Sequence, residues 1–162
     1  ISHFACLYKN QGYGQVPELQ QAVHKINAEL LQAAPLLNLS HPIVTGIQVP
    51  DGVWARAVLC GDRGAVLSMV NDKVTRQAER QVIDLPGGGQ TQIPKGAIIG
   101  YEELGPFDAV VELPKWFQAG SASLITPEGP SPVKFTQIGS TLTCHEVNIG
   151  AGAMVLIKTG KL

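Results

Sequence analysis

Between positions 16 and 37 the apolar residues Val16, Leu19, Val23, Ile26 and Leu30 recur at alternating spacings of three and four, which lays one apolar stripe along a helix. Gln20, Gln21, Lys25, Asn27 and Gln32 make the other face polar. Pro17 suits the first turn, where a missing N–H costs little, and Pro35 and Pro42 bracket the exit. An amphipathic helix of about five turns gains most of its stability by packing. The stripe therefore predicts a cover, supplied by the β unit that follows or by a domain that precedes. The stretch before it, Y-K-N-Q-G-Y-G-Q at 8–15, reads as a loop, because Gly12 and Gly14 lack the third glycine of a phosphate-cradling fingerprint.

Past Pro42 the period shortens to β-branched runs separated by turn formers. Runs at 43–49, 53–60 and 65–70 are joined by Pro50-Asp51-Gly52 and by Gly61-Asp62-Arg63-Gly64, which is hairpin chemistry. Val53, Ala55, Ala57 and Leu59 share one face of the second run; Trp54, Arg56 and Val58 share the other. Further runs fall at 80–85, 97–99, 107–113, 122–126, 133–138, 141–147 and 153–159, with P-G-G-G, Gly105-Pro106, P-E-G-P, Gly139 and G-A-G between them. Phe107, Ala109, Val111 and Leu113 alternate with Asp108 and Glu112, whereas Met154 to Ile157 is continuously apolar and predicts a central strand covered on both sides. No helical segment lies between these runs to build a βαβ crossover. The fold class expected is mostly β: an antiparallel β-sandwich with one N-terminal amphipathic α-helix, divided into a loop and helix at 1–42 and the sandwich at 43–162.

Composition sharpens this picture by exclusion. A formal charge of −1 gives no basic excess for phosphates, which argues against a nucleic-acid partner. No apolar stretch reaches the length of a membrane span, and no secretory leader pattern opens the chain. Cys6, Cys60 and Cys144 are odd in number and far apart, so they read as small buried hydrophobes rather than a disulfide framework. The chain opens on Ile1 within an apolar segment, as a processed product or a piece of something longer would.

Candidate chemistry is sparse. Cys144-His145-Glu146 lies in an alternating run that sends neighbours to opposite faces, and no second Cys or His stands at metal-ligand spacing. His3, His24 and His41 are isolated, and the residues around Ser121 do not match a nucleophile elbow. Glu102 and Glu103 are adjacent rather than paired across a site. The reading is no catalytic residue, no metal and no cofactor in this chain. Trp54, Trp116 and Tyr101 are the candidate carbohydrate-binding residues, since sugars stack on exposed aromatic faces. Asn38-Leu39-Ser40 fits an N-glycosylation acceptor, a pattern too short to inform.

The segment V-P-E-L-Q-Q-A-V-H-K-I-N-A-E-L-L-Q-A-A-P-L-L, followed by V-W-A-R-A-V-L-C-G-D-R-G-A-V-L-S-M-V-N-D-K, resembles the end of a glycoside hydrolase. There the last helix of a (β/α)₈ barrel leads into a C-terminal antiparallel β-sandwich. F-D-A-V-V-E-L-P-K-W-F and the closing A-M-V-L-I-K-T are similar to the rest of such sandwiches, so the resemblance runs over 16–159. It implies a non-catalytic accessory module, a preceding barrel or another subunit packed on the helix, and an extracellular or periplasmic setting. The catalytic carboxylates of that family sit at the ends of barrel strands, and none is carried over. Two alternatives stand beside it: a module that binds glycans directly, and a small free-standing enzyme whose carboxylates, or a His with an orienting acid, converge from distant strands.

Overall fold

The structure is a computed structural model that describes residues 17–43, 46–76, 78–85, 87–94 and 98–160. Helix α1 (Pro17–Leu37) is followed by β1 (His41–Pro42), β2 (Ile47–Gln48), β3 (Val53–Cys60), β4 (Gly64–Asn71), β5 (Val74–Arg76), β6 (Arg80–Asp84) and β7 (Gln90–Pro94). The second half contributes β8 (Ile98–Tyr101), β9 (Leu104–Glu112), β10 (Ala119–Thr126), β11 (Gly129–Pro132), β12 (Phe135–Ile138), β13 (Thr141–Ile149) and β14 (Gly152–Thr159). One sheet runs β1-β3-β4-β14-β10-β11 and the other β12-β13-β9-β2. All pairings among the described strands are antiparallel.

The two sheets face each other across one core. Ala57, Leu67, Val155 and Ile157 from the larger sheet meet Ala109, Val111, Leu142 and Cys144 from the smaller, with Phe117 fully buried among them. Among the described residues, the mostly-β sandwich with one helix expected from the periodicity is what forms. Gln137 on β12 closes one edge: its Oε1 accepts from Ala119 N–H at 2.8 Å, and its Nε2 donates to the Phe117 carbonyl at 2.7 Å.

Strand β14 is central, between β4 and β10, as its apolar run predicts. Val155 and Ile157 enter the sandwich core, whereas Leu156 points to the outer face and joins a second cluster with Cys60, Val66, Ile125, Ala33 and Leu36. Helix α1 is thus a third layer. The backbones of β4 and β14 come so close that a Cβ on Gly64 would collide with the Ile157 carbonyl oxygen, and only glycine permits that approach.

Three details depart from the sequence pattern. The described part of the run at 43–49 forms no hairpin with 53–60: β2 pairs with β9 in the other sheet, whereas β1, just before the run, pairs with β3. The runs at 80–85 and 97–99 are not sandwich strands, because β6 pairs with β7 and β5 with β8 in two-stranded ribbons between β4 and β9. Those ribbons form an arm on which Val82, Leu85, Ile98 and Ile99 are exposed. Pro35 lies in the last turn of the helix, whose end at Leu37 falls between Pro35 and Pro42 as the sequence indicates. Finally, the helix buries its last turns, through Ala33 and Leu36, while Ile26 on the predicted stripe is half exposed. Gln32, placed by sequence on the polar face, turns inward to donate to the Thr126 carbonyl at 2.8 Å. Val16 and the side chain of Leu19 fall outside the described residues, as do the loop at 8–15, His3 and Cys6.

The base of the arm is held by Asn71, the buried polar residue at the end of β4. Its Nδ2 donates to the carbonyls of Glu102 (2.6 Å) and Gly150 (2.9 Å), and its Oδ1 accepts from Lys73 N–H at 2.8 Å. Replacing it with alanine removes three hydrogen bonds from a part-buried setting. Asn71→Ala is expected to lower the unfolding free energy by about 2–4 kcal/mol in urea titration, with amide exchange accelerated first at Lys73 and Glu102; a loss under about 0.5 kcal/mol would show that the arm is anchored by other contacts.

Candidate functional site

The three aromatics singled out by sequence are all exposed, but the fold does not bring them together. Trp54 lies on the outer face of β3 opposite Val70, which in turn pairs with Gly152. Tyr101 ends β8, with its hydroxyl against the Gly150 turn, so it stands at the same end of the sandwich as Trp54. Trp116 sits beyond β9, in the turn where Leu113 N–H bonds the Ser140 carbonyl, at the opposite end.

Their surroundings differ as well. The Arg56 guanidinium lies 5.2 Å from the Trp54 ring centroid, a cation–π distance that occupies part of the ring a stacked sugar would use. Trp116 leans on buried Phe117, centroids 6.0 Å apart and planes tilted by 46°. An open cleft beside it is lined by Glu112, Lys115 and Ser140.

The densest ionisable cluster is one the sequence left dispersed. On the outer face of the smaller sheet, His145 Nδ1 lies 3.0 Å from Asp108 Oδ2, and His145 Nε2 lies 3.0 Å from Thr136 Oγ1. With the Nδ1 proton donated to the carboxylate, Nε2 accepts from the threonine hydroxyl. The order carboxylate–imidazole–hydroxyl is the one that activates a nucleophile. Here, however, it spans three neighbouring strands, β9, β13 and β12, on a water-exposed sheet, where charges interact weakly.

Its backbone setting gives the cluster a structural role. The β13–β9 register shifts between Cys144 and Val147, and Glu146 has φ 55, in the left-handed region. Asp108 Oδ1 accepts from Glu146 N–H at 3.3 Å, and the Glu146 carboxylate pairs with Lys134 at 3.2 Å. Asp108 thereby holds the bulge through both oxygens. The alternation of polar and apolar residues sets Asp108 and His145 opposite their apolar neighbours, but no local signal announces that β9 and β13 are neighbours.

The described cysteines are core residues. Cys60 lies beneath the helix and Cys144 between the sheets, both fully buried and unpaired. Burial raises both thiols, Cys144 to about 11, which keeps them protonated and unreactive at neutral pH. Among the described residues no group of His, Cys, Asp and Glu could hold a metal ion, and no helix is long and apolar enough to cross a membrane.

No known protein family matches the chain, and no curated protein sequence matches it. Among solved structures it is similar to alpha-L-fucosidase isoenzyme 2 from Paenibacillus thiaminolyticus, at 12% identity and a TM-score of 0.43. That similarity covers 72% of this chain and 15% of the fucosidase.

Between pH 9.0 and about 11 the native state retains the Cys144 proton that the unfolded chain releases. The stabilising contribution is therefore whole below pH 9.0 and is lost as pH rises toward about 11. Urea midpoints are expected to fall across that interval, and Cys144→Ala to flatten the fall. An unchanged slope in the variant would remove the thiol from the account.

Proposed function

We propose that this chain is a structural accessory module of a carbohydrate-active, glycoside hydrolase-like protein, a β-sandwich that buttresses a preceding (β/α)₈ barrel or another subunit and takes no part in glycosidic bond cleavage. The resemblance of the helix and first strands to the end of such an enzyme supports this reading. So does the way side chains are spent: the apolar ones hold the layers together, and the best-formed ionisable cluster secures a bulge.

The observation that carries the reading is the uncovered apolar surface of the helix-bearing layer. Leu31 is 70% exposed, Ile26 50% and Trp54 52%, with Val70 beside Trp54 across the β3–β4 pair. Water against several large apolar side chains on one layer is a cost that a packed neighbour removes, at roughly 25 cal/mol per Å² covered. The helix leaves this surface bare because it packs only through its last turns.

A glycan-binding module is the competing reading. It needs an aromatic face free for a sugar, and Arg56 lies over Trp54. In sedimentation velocity and dye-binding measurements the 162-residue chain alone is expected to bind an environment-sensitive apolar dye and to self-associate as its concentration rises. A variant carrying Ile26→Asp, Leu31→Glu and Val70→Thr should do neither while melting at nearly the same temperature. A chain that stays a clean monomer and excludes the dye would remove the docking surface.

A further inference from the structure

A groove runs between the last turns of α1 and the outer face of the larger sheet. It consists of two hollows of about 380 and 250 Å³ that share Gln32, Leu156 and Lys158. Leu36 and Ile125 extend the apolar floor, Arg63 rises from the β3–β4 turn, and Ser121 and Ser123 line the smaller hollow. The alignment follows from the register: Leu156 and Lys158 face the helix side of β14, opposite Ser123 and Ser121 on β10, and Lys158 pairs with Gly64 next to Arg63. Such a volume, with an apolar floor and a few converging polar groups, is typical of a small-molecule site.

The charge of the groove is one-sided. Among the described residues no carboxylate lines either hollow, and neither Arg63 nor Lys158 forms an ion pair. Gln32 stands in the wall shared by the two hollows. Its Nε2 donates to the carbonyls of Ala28 (3.2 Å) and Thr126 (2.8 Å), which fixes the direction of the amide. Its Oε1 is then shut from solvent with no donor among the described residues, a state that native interiors rarely leave unmet.

We propose that this groove binds a small organic carboxylate with an apolar body and a hydroxyl. The carboxylate lies between Arg63 and Lys158, where charge-assisted hydrogen bonds are strongest. The apolar body covers Leu36 and Leu156, and the hydroxyl meets Ser121 and Ser123 in the smaller hollow, with Gln32 held in place by its bonds to Ala28 and Thr126. Inorganic anions match the cations but leave the floor wet; neutral apolar molecules match the floor but leave two cations unpaired. The inference is independent of the docking role, since neither Arg63 nor Lys158 belongs to the surface assigned there.

The test is an amide-resolved NMR titration of the full chain with 4-hydroxybenzoate at low ionic strength, with 4-hydroxybenzyl alcohol and sulfate as parallel arms. Saturable shifts are expected at Gln32, Leu36, Arg63, Lys158 and Thr159. The neutral alcohol should bind about tenfold more weakly or less well still, and Lys158→Gln and Arg63→Gln should each cost about tenfold in affinity while leaving the remaining spectrum unchanged. Equal affinity for the alcohol, sulfate competing at equal concentration, or shifts confined to other surfaces would overturn the proposal. So would shifts at the groove that follow protein concentration rather than ligand, which would make a second copy of the chain its occupant.

Discussion

Strand β14 must be apolar on both faces, and the layered structure follows from that requirement. Val155 and Ile157 fill the space between the sheets, and Leu156 fills the space beneath the helix. Each fully buried aliphatic side chain is worth about 1.5–3 kcal/mol relative to exposure, so the strand supports two interfaces that cannot be loosened separately. Its neighbours repeat the arrangement on a smaller scale: β4 sends Leu67 inward and Val66 outward, and β10 sends Ala122 inward and Ile125 outward. A helix laid over these outward residues is a consequence of the sheet, which would otherwise present Val66, Ile125 and Leu156 to water.

The outer layer is also where the covering is incomplete, and there the fold has a functional direction. Helix α1 crosses from the β10–β11 turn, where Gln32 bonds Thr126, toward β1, whose His41 pairs with Leu59. That path covers Cys60, Val66 and Leu156 but leaves Trp54 and Val70 bare at the far corner. It also opens the cation-lined trough at its side. The opposite face of the molecule is unlike it: Thr136, Asp108 and His145 form a hydrogen-bonded polar surface. One side of the sandwich is polar and hydrogen-bonded, and the other leaves large apolar side chains exposed.

Much of this architecture is legible in the sequence, for a physical reason. Burial imposes a period on the chain, so the alternation at 53–60 and 107–113 and the unbroken run at 153–157 announce which strands are half-covered and which are central. The helix is announced by its stripe. What the sequence does not carry is adjacency. The pattern at 43–49 suits a strand equally well in either sheet, and only the three-dimensional pairing sets β2 against β9 while β1, just before the run, lies against β3. The arm escapes for a related reason: β6 and β8 have the residues of sandwich strands, but Asn71 ties down the base of a hairpin that never reaches the core.

Site chemistry was harder to read than the fold because it depends on adjacency between residues distant in sequence. Asp108 and His145 are 37 positions apart and meet only because β9 pairs with β13 and a bulge turns Glu146 N–H toward the carboxylate. Lys158 and Arg63 are separated by most of the sandwich and share a groove because β14 lies beside β4. The aromatics show the converse. Trp54, Trp116 and Tyr101 were legible as exposed platforms one at a time, yet the strands carry them to two ends of the molecule, where no single ligand of sugar size can touch all three. Among the described residues the aromatics are dispersed, the thiols of Cys60 and Cys144 are buried and the His145 imidazole holds a bulge, which directs attention to the helix-bearing side, where exposed apolar side chains and the cations Arg63 and Lys158 lie.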